Sequence, residues 1–267
     1  MRFPFPSMFW PRRARILARA SAEAYLPVPE NDGTRVSIRS AETDTQVLVI
    51  RSKAEVIVAF RGTAHWRNWL TDLDCELIDT GPFRAHRGFV RALESVFEEV
   101  SGEMGAAGRR PLLFTGHSLG GALAMLCARW WRGTVAGVYT FGQPRAGDAA
   151  FRGNYNSHLW PVTYRMVHAD DVVPRVPWLL GRYRHAGQEV FFPGGRGRVA
   201  AAGAAAYLIN PLWWEKIPGE ARGLAREAWH GRDALLADHH MDSYLELLGP
   251  EPVGRGQEES PISRFIP

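Results

Sequence analysis

The chain has 267 residues, long enough for one α/β domain with a sizeable core, and its 46% hydrophobic content is ordinary for a globular protein. Its formal charge of +4 comes almost wholly from arginine, since Lys53 and Lys216 are the only lysines. The arginines are scattered, which excludes a nucleic-acid-binding stripe, and two cysteines, Cys75 and Cys127, exclude a disulfide framework.

The first eleven residues are apolar and broken by proline, and Arg12, Arg13, Arg15 and Arg19 follow them. This order lacks the uninterrupted apolar core of a signal peptide. Together with the cysteine count, it sets the expectation of a cytoplasmic protein. Residues 12–25 carry Ile16, Leu17, Ala20 and Ala24 at helical spacing, and the run ends at Pro27. Three strand-like runs follow at 35–39, 46–51 and 55–60, close enough to be neighbours in one sheet. The third leads into Phe60-Arg61-Gly62-Thr63. Residues 64–73 then place Trp66, Trp69, Leu70 and Leu73 on one helical face. Such a helix either packs on the surface or forms a mobile flap with an apolar underside.

His86 opens a helix to about Met104, and 105–110 is a loop. The stretch 111–124 reads as a short apolar strand, then Gly116-His117-Ser118-Leu119-Gly120, then a helix with Leu119, Leu123, Leu126 and Trp130 at core spacing. G-x-S-x-G between a strand and a helix is the context of a nucleophile elbow. Further strands are expected at 135–142, 162–167 and 188–192. Strand–helix alternation predicts a largely parallel sheet, with catalytic groups beyond the carboxyl ends of its strands.

The segment 199–209 is alanine-rich but stops at Asn210-Pro211, about half of the ~20 residues a membrane span requires. Residues 194–237 show no sheet pattern and are expected to form a cap or insert. Residues 232–248 read as a helix, preceded or entered by Asp238-His239-His240, and 249–267 as a flexible tail.

A serine hydroxyl needs a base to take its proton, and the base needs an acid to fix its tautomer. After this elbow the partners follow in the order acid, then histidine. Asp170 and Asp171 both lie just beyond the 162–167 strand. His239 and His240 lie near the end of the chain, with His185 and His230 as weaker candidates. The oxyanion donors are expected from the backbone of Leu119 and from the Gly62-Thr63 loop.

With these pieces in order, the sequence resembles the fungal-type (class 3) lipases, a family of α/β-hydrolases. The resemblance rests on 58–63 (Val-Ala-Phe-Arg-Gly-Thr), 68–73 (Asn-Trp-Leu-Thr-Asp-Leu), 86–89 (His-Arg-Gly-Phe) and 115–122 around the elbow. It continues at 140–148 (Thr-Phe-Gly-Gln-Pro-Arg-Ala-Gly-Asp), at 171–174 (Asp-Val-Val-Pro), and at Asp238-His239 with Tyr244. The resemblance assigns the acid to Asp171 and the base to His239, beside Ser118. It makes Thr63 and Leu119 the oxyanion hole, and 64–74 a lid with Trp66, Trp69, Leu70 and Leu73 toward substrate. His168 stands where the family often has Asn. Without a signal peptide or disulfides, the chain looks like the bacterial, intracellular branch.

The expected protein is thus one α/β-hydrolase domain over 1–248, with a mostly parallel sheet, helices on both faces and a short lid helix. It is a serine esterase needing no metal or cofactor, most simply a lipase on acylglycerols that meets a lipid interface transiently. A phospholipase, a short-chain or phenolic esterase, and a non-catalytic lipid-binding homologue are the alternatives.

Overall fold

The structure, a computed structural model, describes residues 9–27, 33–63, 76–168, 171–177, 182–192 and 239–249. In chain order the elements begin with α1 (Pro11–Glu23), β1 (Arg35–Ser40), β2 (Thr45–Arg51) and β3 (Val56–Phe60). A short hairpin of β4 (Leu77–Asp79) and β5 (Arg84–His86) leads to α2 (Arg87–Gly105), β6 (Leu112–His117) and α3 (Leu119–Trp130). The remainder is β7 (Gly137–Phe141), α4 (Ala149–Leu159), β8 (Thr163–His168), β9 (Gln188–Phe192) and α5 (Met241–Leu248).

Seven strands form one sheet in the order β1-β2-β3-β6-β7-β8-β9. β2 runs antiparallel to β1 and β3, and from β3 to β9 the neighbours are parallel. Both faces are buried, so the strands read as continuous apolar runs rather than alternating ones. Val58, Phe60, Phe114 and Val138 pack with α2, α3 and α4. Ile57, Ala59, Leu113, Phe141 and Met166 pack with α1 and α5 on the opposite face. The mostly parallel sheet with helices on both faces agrees with the expectation. No described helix is long and apolar enough to cross a membrane.

Local signals start the helices. Pro11 sits in the first turn of α1, where its missing N–H costs nothing. His86 caps α2 by accepting from the Gly88 and Phe89 N–H groups, and Asp148 caps α4 by accepting from Phe151 N–H at 2.8 Å.

The hairpin β4–β5 and helix α4 carry no clear signal in the sequence. The hairpin strands span three residues each, too few to show a period of two. Helix α4 buries only Phe151, Tyr155 and Leu159, a stripe one residue wide among polar neighbours. The last helix starts later than expected: His239 and His240 precede it, and His240 is extended at φ −67° and ψ 144°. The expected lid at 64–74 lies outside the described residues, as do the expected cap at 194–237 and, beyond Gly249, the expected tail.

Candidate active site

The turn between β6 and α3 is built by close backbone approach. A Cβ on Gly116 would overlap the backbone of Gly120, and one on Gly120 would overlap the Phe60 carbonyl. β6 and α3 therefore sit directly against the end of β3, whose Phe60 pairs with Gly116. Between the two glycines Ser118 adopts φ 56° and ψ −129°, outside the ordinary wells of an L residue. Such a backbone costs on the order of 1–3 kcal/mol and persists only where the surroundings impose it. Here the Ser118 N–H donates to the Phe141 carbonyl at 2.9 Å, and its own carbonyl accepts from Gly121 N–H at 3.0 Å. The Ser118 hydroxyl is buried and has no hydrogen-bond partner among the described residues. A buried polar atom in that state calls for an explanation. A nucleophile awaiting substrate supplies one.

Asp171 follows β8 and is fully buried. Its carboxylate accepts three hydrogen bonds. His239 Nδ1–H reaches both oxygens at 2.9 and 3.0 Å, the Tyr244 hydroxyl donates to Oδ2 at 2.6 Å, and Val173 N–H donates to Oδ1 at 2.9 Å. Three donors aimed at one carboxylate offset much of the cost of taking it out of water. Because Nδ1 donates to Asp171, a neutral His239 ring carries its lone pair on Nε2.

The ends of β6, β7 and β8 bring these groups together. Phe141 holds the Ser118 backbone, while the next residue, Gly142, lies against the acid and the histidine. His117, adjacent to Ser118, packs its ring at 4.6 Å from that of His239, tilted by 31°, and bonds the His239 carbonyl at 2.6 Å. Helix α5 is anchored behind them: Arg15 of α1 donates to the Leu248 carbonyl at 2.5 and 3.2 Å. A cation at the final carbonyls suits a helix C-terminus.

Gly142 was not singled out by sequence, yet the acid–histidine pair depends on it. Its φ is +58°, and a Cβ there would lie 2.7 Å from Asp171 Oδ2 and 2.9 Å from the His239 ring. Gly142→Ala should lower kcat by about 10²-fold, the scale of a 1 Å misplacement of reacting groups. It should also lower the melting temperature, and a variant with wild-type kcat would show that the pair tolerates displacement.

Of the oxyanion candidates, Leu119 opens α3, where a helix leaves its N–H groups without intrahelical acceptors. Thr63 follows Gly62, whose Cα faces the His117 carbonyl and the Ser118 Cβ. Leu119 is thus next to Ser118 in the chain, and the loop that carries Thr63 approaches Ser118 at Gly62. The other titratable candidates diverge. Asp170 and His230 lie outside the described residues, as do Trp66, Trp69, Leu70 and Leu73. His240 is exposed. His185 is tied through Nε2 to the Pro174 carbonyl at 2.6 Å, and burial beside Arg165 and Arg145 holds its pKa well below the usual histidine value. Tyr244 came from the sequence only as part of a motif; its hydrogen bond to Asp171 appears in the structure alone.

Comparison with known proteins agrees with this geometry. Residues 57–180 match the family described as Lipase (class 3). Secreted mono- and diacylglycerol lipase 1 of Fusarium solani is 35% identical over 155 residues, covering 54% of this chain and 46% of that protein. Secreted mono- and diacylglycerol lipase A of Penicillium cyclopium is 31% identical over 186 residues, covering 61% and 58% respectively. The chain spans about half the length of the curated relatives it matches. Among solved structures, lipase II from Rhizopus niveus superposes with a TM-score of 0.61 at 27% identity, covering 69% of this chain and 81% of that one.

These relatives correct two expectations. They are fungal, so the bacterial branch gains no support. Two are named as secreted, which overturns the cytoplasmic expectation. That expectation leaned on few cysteines and no recognised leader. Residues 57–180 thus match the class 3 lipase family, and the sheet they help to build is similar to that of solved lipases of the α/β-hydrolase fold.

Proposed function

We propose that the protein is a serine carboxylic-ester hydrolase acting on acylglycerols through an acyl-enzyme. The observation that carries this reading is Ser118 on its strained elbow, beside a buried Asp171–His239 pair at the carboxyl end of the same sheet. Ser118 Oγ attacks the ester carbonyl while His239 Nε2 takes its proton. The negative charge that develops on the carbonyl oxygen is met by the N–H groups of Leu119 and Thr63. Collapse of that intermediate expels the alcohol, which leaves with the proton held by His239. Water then attacks the acyl-enzyme, again giving its proton to His239, and the acid is released. Asp171 keeps Nδ1 protonated and stabilises the imidazolium in each half-reaction.

Acylglycerols are favoured over other esters by the names of the relatives, two of which are mono- and diacylglycerol lipases. In this reading residues 1–248 act as one hydrolase domain, with 194–237 as a cap. The 64–74 segment serves as a lid, its Trp66, Trp69, Leu70 and Leu73 meeting substrate and, transiently, a lipid interface.

A substrate panel tests the assignment: mono-, di- and triacylglycerols, phospholipids, and p-nitrophenyl esters of graded chain length, each below and above the concentration at which an emulsion forms. Acylglycerols should be cleaved fastest, with a rise in rate at the interface. A preference for phospholipid would make the protein a phospholipase, and turnover of soluble monoesters alone would make it a simple esterase. Failure of a fluorophosphonate to label Ser118 would remove the enzyme reading altogether.

A further inference from the structure

The mechanism above leaves two polar side chains unused, one half-buried and one buried. Tyr25, just after α1, and His117, just before Ser118, are hydrogen-bonded to each other at 2.9 Å across 92 residues of sequence. His117 Nε2 lies 2.6 Å from the carbonyl oxygen of His239. A carbonyl can only accept, so Nε2 carries the proton and Nδ1 presents a lone pair. That lone pair accepts from the Tyr25 hydroxyl. The backbone amide of Gly62 faces the same phenol oxygen, and a Cβ on Gly62 would overlap it. Every donor and acceptor along this line is thereby assigned, from Gly62 through Tyr25 and His117 to His239.

We propose that Tyr25 and His117 are positioning residues that fix the distance between the oxyanion loop at Gly62-Thr63 and the general base His239. The inference rests on the reading of Ser118, Asp171 and His239 as the reacting groups. Its physical basis is that the base and the oxyanion donors come from opposite ends of the chain. His239 lies two residues before α5, and Gly62 two residues after β3, a strand two places away from β7 in the sheet. The Asp171 bonds orient the His239 ring but leave its backbone to be held elsewhere. The His117–carbonyl bond holds that backbone, and Tyr25 ties the same imidazole to the loop.

The chain works only while His117 is neutral, because a proton on Nδ1 would face the hydroxyl proton of Tyr25. Burial and the neighbouring His239 ring both hold the His117 pKa well below the usual histidine value. Burial also raises the Tyr25 phenol, so it stays a donor. A neutral ring beside His239 adds no charge repulsion when His239 becomes an imidazolium.

The test uses kcat and KM on a short p-nitrophenyl ester and the rate of fluorophosphonate labelling of Ser118, with melting temperature as the control for folding. His117→Leu keeps apolar bulk but severs both bonds; it should lower kcat and the labelling rate together by about 10–10²-fold, with KM nearly unchanged. His117→Gln can still donate to the His239 carbonyl and accept from Tyr25, and should recover most of the loss. Tyr25→Phe should cost severalfold, and combining it with His117→Leu should add nothing further, because the line is already cut. His239→Ala in the same assay separates the two ideas. If His239→Ala is inactive while Tyr25→Phe and His117→Leu turn over like wild type, the positioning proposal fails and the mechanism stands. If His239→Ala remains active, the mechanism itself fails and carries the proposal with it. Effects of Tyr25→Phe and His117→Leu that multiply also overturn the proposal, since they would then act separately. Should His117→Leu fail to fold, Tyr25→Phe against His117→Gln gives the same coupling, read in kcat.

Discussion

Ser118→Ala should lower kcat on a short p-nitrophenyl ester by about 10³–10⁶-fold and leave the protein at least as stable as before. The loss in rate follows from the chemistry: alanine offers no oxygen to form the acyl-enzyme, and only the oxyanion donors and substrate positioning remain to accelerate attack by water. The stability half follows from the structure. The Ser118 hydroxyl makes no hydrogen bond among the described residues, so its removal breaks none. The backbone strain at φ 56° is shared by serine and alanine and cancels in the comparison. Removing a buried, unpartnered hydroxyl takes away a desolvation cost, which for such a group is about 1–3 kcal/mol. The expected outcome is therefore a dead enzyme with an unchanged or raised melting temperature. Undiminished turnover would transfer the nucleophile's role elsewhere. A large fall in melting temperature would mean that the hydroxyl is a structural partner and not a group held ready for substrate.

Much of this arrangement can be read from the chain because the signals are local. Gly116 and Gly120 bracket Ser118 where a Cβ would overlap the backbone of the facing element, and the apolar runs on either side announce strand and helix. The largely parallel direction of the strands follows from strand–helix alternation. What escapes the sequence is contact between distant segments. Tyr25 sits in a turn after an unremarkable helix, and nothing near it in sequence marks a bond to residue 117. Tyr244 lies at an ordinary apolar position of α5, and its hydroxyl finds Asp171 only once β8 and α5 are packed on the same face. Gly142 could pass for a simple strand end, since the need for φ +58° arises from an acid and a histidine contributed later in the chain. Helix α4 shows the same limit in the fold: with so narrow an apolar stripe, its capping Asp148 is its clearest mark.

His239→Ala should abolish turnover while His240→Ala should retain most of it, although the two histidines are adjacent. Successive residues at an extended position point apart, and the structure separates them completely: His239 is 1% exposed, whereas His240 faces solvent and makes no side-chain cap for α5. Only His239 shares a proton with Asp171. Alanine at 239 leaves Ser118 without a base and should cost a factor comparable to loss of the nucleophile, because residues that act as a unit fail together. Alanine at 240 removes an exposed ring and should change kcat less than about threefold, the scale of an ordinary surface substitution. Asp171→Asn refines the argument. The amide can present an N–H to His239 Nδ1, which then accepts, and the ring proton moves to Nε2, the atom that must take the proton from Ser118. Geometry would survive, yet kcat should fall by about 10⁴-fold. Tyr244→Phe belongs to the same series with a smaller effect, since Asp171 keeps its bonds from His239 and Val173 after the 2.6 Å bond is lost. An order of severity with His239→Ala and Asp171→Asn far below Tyr244→Phe, and His240→Ala near wild type, is what a buried proton line through Nδ1 requires. Activity lost at 240 and kept at 239 would reverse the assignment of the base.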